Sequence, residues 1–332
     1  MSIGKLTFIL CAASIAGSAD NTGGVLGPVT GYVLDAKVHA IRPMMGFPGA
    51  AYLGAPAVTS VDAAWVSPDA FAAFVVRGGQ AVLYTGLGNT APVAAKLSGV
   101  LAADYFAWGP SSTAAALYSA ATRQAQILTN LLSAPSAGGP IDLTSLSGQV
   151  TAIAFDGQRV ILAVSSPAGG GIYIATAQEG PRLLVSAISP ASILLAGADL
   201  YFADNRSQEI WQVKSYATGA APAMFANDAA ISSPAGLQLS ADGSRLYVAN
   251  AGSRTLGVYD VATHAPEQSI TLNFTPTRLD RFGSGSVFLL NSAGQTSTPL
   301  YVLSEQLNKR AVYFVPGAGV PGHPRPAPYK PQ

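Results

Sequence analysis

The stretch Pro234–Thr263, PAGLQLSADGSRLYVANAGSRTLGVYDVAT, holds three short predicted strands and the two turns that join them. Gly236–Leu239 is a brief apolar run that meets Ser240-Ala241-Asp242-Gly243. Asp and Gly there suit Asx bonding and a positive φ. Arg245–Ala249 follows, then an Asn-Ala-Gly-Ser loop from Asn250, then Leu256–Val261. Short β-branched and aromatic runs separated by such turns read as an antiparallel meander. Glu267–Leu272, more polar, completes a four-stranded unit.

Working outward, five more units lie under this one. Their predicted innermost strands are Val61–Val66, Asp104–Trp108, Val150–Phe155, Ser192–Ala196 and Thr277–Arg281, beside Gly236–Leu239 itself. Predicted second strands are Phe71–Val76, Ala114–Tyr118, Val160–Val164, Leu200–Ala203, Arg245–Ala249 and Val287–Leu290. Inner strands are nearly all apolar or small and outer ones more polar, as expected when each sheet packs both faces against neighbours and widens toward solvent. Units of about 43 residues with four strands each are the signature of an all-β propeller. Residues 61–316 carry six repeats. Ahead of them, GYVLDAKVHAIRP parallels LYVLSEQLNKRAVYFVP near the end of the chain. Gly31–Asp35 and His39–Met44 therefore read as a third-and-fourth-strand pair, and residues 25–60 as an atypical N-terminal blade or a hairpin appendage. Six blades plus an appendage is the alternative. Seven is the reading favoured here, because an isolated two-stranded hairpin is marginal in water.

Only 11% of residues are charged, against about a quarter in an average globular protein, and the net charge is +1. That leaves no footprint for nucleic acid and no polybasic membrane patch. Residues 1–19 read as a secretory signal: Lys5, the apolar run Leu6–Ala16, and Gly17-Ser18-Ala19 before Asp20. The chain is thus expected to be secreted or periplasmic, with a single propeller domain over residues 20–316. Cys11, the only cysteine, lies inside that apolar run, and Phe8-Ile9-Leu10 before it lacks the small residue expected ahead of a lipidated cysteine. No later run is long enough for a membrane span. Residues 317–332, rich in Pro and Gly, read as an extended or disordered tail.

LSADGSRLYVANAGSRTLGVYDVAT (residues 239–263) resembles the repeats of the YVTN family of β-propellers. LYFADNRSQEIWQV (residues 200–213) is similar to NHL and strictosidine-synthase-like blades. The opening GYVLDAKVHAIRPMMGFPGAAYLG and the closing AVYFVPG resemble secreted propellers of soil bacteria, a resemblance that implies no activity. Relatives of these propellers include lactonases, quinoprotein dehydrogenases and pure binding platforms, so a function must come from the site.

In propellers, loops entering the first strand and leaving the second line one mouth of the channel. That rule nominates Asp62, Asp104, Thr151, Ser192 and Arg278 at first-strand starts, and Arg77, Ser119, Asp204, Arg206, Asn250 and Asn291 at second-strand ends. Asp62, Arg77, Asp104, Asp204, Arg206, Asn250 and Arg278 are the candidate ligand contacts. The three arginines suit a carboxylate or phosphate. The competing reading is local: Asp204 and Asn250 occupy equivalent positions before a polar loop, where such side chains cap backbone N–H groups. Trp65 and Trp108, on inner strands, read as space-fillers between blades. His39, His264 and His323 are dispersed, and the four glutamates (Glu179, Glu209, Glu267, Glu305) fall toward outer strands. No GxSxG, HExxH or phosphate loop is present. The sequence calls for no cofactor and nominates no metal ligands or catalytic residues. It favours a secreted non-catalytic scaffold binding an unknown protein or small molecule at the mouth. A lactonase-like hydrolase or a dehydrogenase at the same mouth, and a cell-envelope structural protein, are the alternatives.

Overall fold

The computed structural model describes residues 28–317 apart from 220, 284, 293–298 and 307–308. The expected leader with Cys11, and residues 318–332 of the tail, lie outside them. The described chain forms seven four-stranded antiparallel sheets in succession, a seven-bladed β-propeller. Strands are lettered A to D in chain order within each blade. The innermost A strands are Val29–Asp35, Ala63–Val66, Tyr105–Trp108, Gln149–Phe155, Pro190–Ala196, Pro234–Leu239 and Asp280–Arg281. The B strands are Ala40–Met45, Ala72–Arg77, Ala115–Ser119, Val160–Ser165, Asp199–Asp204, Arg245–Asn250 and Val287–Leu289. Among the described residues the one helical segment is a 3-10 turn, Tyr216–Thr218.

The ring follows from a period of two. Side chains alternate across a strand, so each B strand splits its residues between two neighbours. In blade 4, Val160, Leu162 and Val164 pack toward blade 3, whereas Ile161 and Ala163 pack toward blade 5. The same division around the wheel gives seven apolar clusters, one per interface between blades. The B strands are covered on both faces, which is why so few of their residues are charged.

Blade 1 corrects the sequence reading. Its hairpin is not a third-and-fourth-strand pair but strands A and B. Val29–Asp35 lies beside Ala63–Val66 of blade 2, and Gly31 sits under the ring of Phe282 from blade 7. A Cβ on Gly31 would fall 2.8–2.9 Å from three atoms of that ring. Alternation alone does not separate inner from outer strands, and the likeness to the C-terminal hairpin pointed the wrong way. Outward of strand B, blade 1 has only two-residue strands, Tyr52–Leu53 and Val58–Thr59, both paired with Ala40–Met45. Arg42 compensates for the missing ladder. It donates to the carbonyls of Leu53 (2.9 Å) and Gly54 (2.8 Å), and its charge is met by Asp35 at 3.0 Å.

Ring closure uses no shared sheet. Blade 7 ends in its own strand D, Lys309–Val315, and no strand from one end of the described chain completes a sheet at the other. Val33, Met44, Ala51 and Leu53 instead meet Phe282, Val287, Leu289, Leu300, Val302 and Val315 across the seam. On its other side, blade 7 is joined to blade 6 by ions as well as apolar groups. Glu267 pairs with Arg245 at 2.8 Å and with Arg310 at 3.4 Å.

Polar turns bind the face opposite the candidate mouth. Asp156, in the A–B turn of blade 4, accepts from the N–H groups of Gln158 and Arg159, the Arg159 guanidinium and the Tyr216 hydroxyl of blade 5. Partial burial pushes its carboxyl up, but these four donors outweigh that and hold it below the usual carboxylate range. A depressed folded pKa gives stability that is complete above the unfolded value of about 3.9 and is lost as pH falls through the folded value. Asp156→Asn is therefore expected to flatten the acid limb of the stability profile below about pH 4, read by urea denaturation at stepped pH. An unchanged acid limb would remove Asp156 from the acid response.

Candidate functional site

Strand A of each blade pairs on one edge only, so its other edge faces the axis. In blades 1, 4, 5 and 6 a bulge interrupts the start of this strand, between Val29 and Gly31, Val150 and Ala152, Pro190 and Ser192, and Pro234 and Gly236. Bulges re-aim a strand where pairing ends, here at the predicted mouth. Thr151, one of the bulged residues, donates its hydroxyl to Pro190 O of the next blade at 2.6 Å.

Most nominated mouth residues are spent on their own backbone. Asp62 accepts from Gly78 N–H and Asp104 from Ala120 N–H, both at 2.7 Å, in equivalent places on neighbouring blades. Asp204 is 2% exposed and accepts four backbone N–H bonds: Ile188 and Ser189 on one oxygen, Arg206 and Ser207 on the other. Buried Asn250 and Asn291 also bond locally, Asn250 to Ser232 N–H and Thr255, Asn291 to Tyr301 N–H and Pro299 O. Arg77 and Arg206 are exposed. The Arg77 guanidinium reaches the Tyr84 hydroxyl at 3.4 Å. Among the described residues no group of three or more His, Cys, Asp or Glu gathers in a way that could hold a metal ion.

Of the seven candidate contacts, Asp62 and Arg278 line a cavity of the ring. It occupies about 660 Å³ at the axis, walled by blades 1, 2, 3, 6 and 7. That volume falls within the range of small-molecule sites. One wall is aromatic: Trp65, Phe106 and Trp108, all half-buried. These side chains also fill the interface between blades 2 and 3, so they are both packing groups and cavity wall. The facing wall carries Gln238 of blade 6 with Arg278, Asp280 and Arg281 of blade 7. Arg278 pairs with Asp280 and donates to Ser292 Oγ at 3.1 Å. Burial pushes the phenol of Tyr32, which also walls the cavity, above its usual pKa and keeps it protonated.

Sequence reasoning missed Arg281, Asp280 and Gln238, and took the two tryptophans for filler alone. One signal was available. Thr277–Arg281 is the only predicted inner strand with three charged residues, and charge on a strand packed on both faces needs a polar reason.

No protein-family model matches the sequence, and no curated protein matches it. Solved structures do match. A protein from Lactobacillus plantarum aligns with 87% of this chain and 96% of its own at 15% identity, TM-score 0.62. The periplasmic gluconolactonase of Pseudomonas aeruginosa aligns with 88% of this chain and 97% of its own at 16% identity, TM-score 0.60. A chain of a nidogen/laminin complex aligns with 73% of this chain and 89% of its own at 15% identity, TM-score 0.52. At such identities the likeness speaks to the fold.

Proposed function

We propose that this chain is a secreted propeller of YVTN/NHL-like repeats that binds a small organic ligand in the axial cavity without transforming it. The carrying observation is the cavity itself, about 660 Å³ with an aromatic wall and a few convergent polar groups, the usual make-up of a small-molecule site. The carboxylates of the mouth support the same reading. Asp62, Asp104 and Asp204 each hold backbone N–H groups instead of converging as an acid–base pair. Export rests on the leader pattern of residues 1–19. Exposed large apolar side chains such as Phe47, Val93, Leu183 and Phe314 are spread over several blades, which offers little to a structural envelope role.

A lactonase-like hydrolase is the second reading. It is favoured by the fold shared with the gluconolactonase and by Asp280, a carboxylate beside Arg278 inside the cavity. One screen separates the two. The folded chain is titrated with lactones, sugars, organic acids and divalent cations while unfolding temperature and ligand consumption are followed together. The binding reading expects a ligand that stabilises by about 2.7 kcal/mol at a hundredfold excess over its Kd and is recovered intact. Lactone consumed in proportion to protein, and spared by Asp280→Asn, would put the hydrolase in its place.

A further inference from the structure

The two walls of the cavity differ in kind, and the difference names a ligand class. Trp65 stacks on Phe106 with ring centroids 5.7 Å apart, Phe106 on Phe74 at 4.5 Å, and Trp108 meets Phe106 edge-on at 5.2 Å. Trp108 Nε1 also donates to Trp65 O at 3.2 Å. These contacts fix the aromatic wall before any ligand arrives, so little rotamer freedom remains to be lost on binding.

Across the cavity the charges are not evenly matched. Arg278 has Asp280. Arg281 has no carboxylate partner among the described residues. Its guanidinium donates through Nη2 to Leu239 O at 3.1 Å and lies over the Phe288 ring, 5.4 Å from the centroid. That contact places it against the residue following Gln238. The Gln238 Oε1 accepts the N–H of Leu239 at 3.2 Å, leaving the amide Nε2 of this lining residue as a second donor. The other carboxylate in the lining, Asp62, is exposed on blade 2 and bonded to Gly78 N–H, so solvent screens it.

We propose that the cavity takes a planar aromatic carboxylate, its ring along Trp65, Phe106 and Trp108 and its carboxylate on Arg281 with help from Gln238. This rests on the axial cavity being the ligand site. A guanidinium fork suits a carboxylate bidentately, and an offset aromatic contact favours a flat ring over an aliphatic one of similar size.

The test uses 2-naphthoate, its neutral amide 2-naphthamide, and the saturated decahydronaphthalene-2-carboxylate, titrated by calorimetry into the full chain. Of the three tryptophans, Trp65 and Trp108 line the cavity and Trp211 does not, so tryptophan emission locates the binding. Naphthoate is expected to bind one-to-one, at least tenfold tighter than either analogue. Arg281→Gln should weaken naphthoate tenfold or more while leaving naphthamide unchanged, a split that a merely structural arginine would not give. Arg281→Lys, which keeps the charge and loses the fork, serves if the glutamine variant does not fold, with an intermediate loss expected. Trp65→Leu should weaken naphthoate and naphthamide together. Equal affinity for all three probes, or naphthoate binding indifferent to Arg281, overturns the ligand class. If binding still depends on Trp65, the axial site itself survives. Binding indifferent to both residues, or none by these probes or by the wider screen, overturns the axial site as well.

Discussion

Phe282→Ala is expected to loosen the wheel at its seam, costing about 3–5 kcal/mol in urea denaturation. Phe282 is 3% exposed, within the cluster that joins blade 7 to blade 1. Its ring covers Gly31, whose missing side chain is the space the ring occupies. Truncation would open a cavity beside a residue with nothing to fill it. No hydrogen-bonded ladder crosses this interface among the described residues, so side-chain contact has to hold it. Hydrogen exchange should then show strand A of blade 1, Val29–Asp35, losing protection ahead of the inner strands of blades 4 and 5. A loss below about 1 kcal/mol, or exchange quickening uniformly around the ring, would show that closure depends on other contacts.

Asp204→Ala should be of comparable size, about 3 kcal/mol or more. It strands four backbone N–H groups at once, from the D–A linker (Ile188, Ser189) and from the B–C turn (Arg206, Ser207). A buried donor without an acceptor loses its full solvation. Asp204→Asn, which keeps one acceptor oxygen, should lose less. Thermal unfolding of both variants checks the order Asp, Asn, Ala. If Asp204→Ala were as stable as the parent, the four N–H groups would have found other acceptors and the capping role would be incidental.

Much of the architecture was readable along the chain. Predicted inner strands such as Val150–Phe155 and Gly236–Leu239 match those found to within two residues, because tight turns with Asp and Gly punctuate runs whose alternation reports burial. Blade 1 was less legible. Tyr32 and Val33 pack on opposite neighbours, a pattern that a well-covered outer hairpin shares. Its third strand is two residues held by Arg42, and no local propensity announces a strand so short. The site was harder still. Asp62, Asp104 and Asp204 were found at the nominated positions, but a carboxylate beside turn N–H groups binds them first, and the sequence does not show how many N–H groups are within reach. The aromatic wall looked like core because it is core on one side. On the other side it lines the axial cavity, which a one-dimensional pattern of apolar residues does not distinguish from core.

Because, among the described residues, every blade is one segment of the chain and the seam contains no borrowed strand, where the wheel starts along the chain is an arbitrary choice. Joining the ends across blades 7 and 1 and cutting instead between Leu143 and Gly148, the linker from blade 3 to blade 4, would divide no sheet. A circular permutant would inherit the same seven pleated modules in a different reading order.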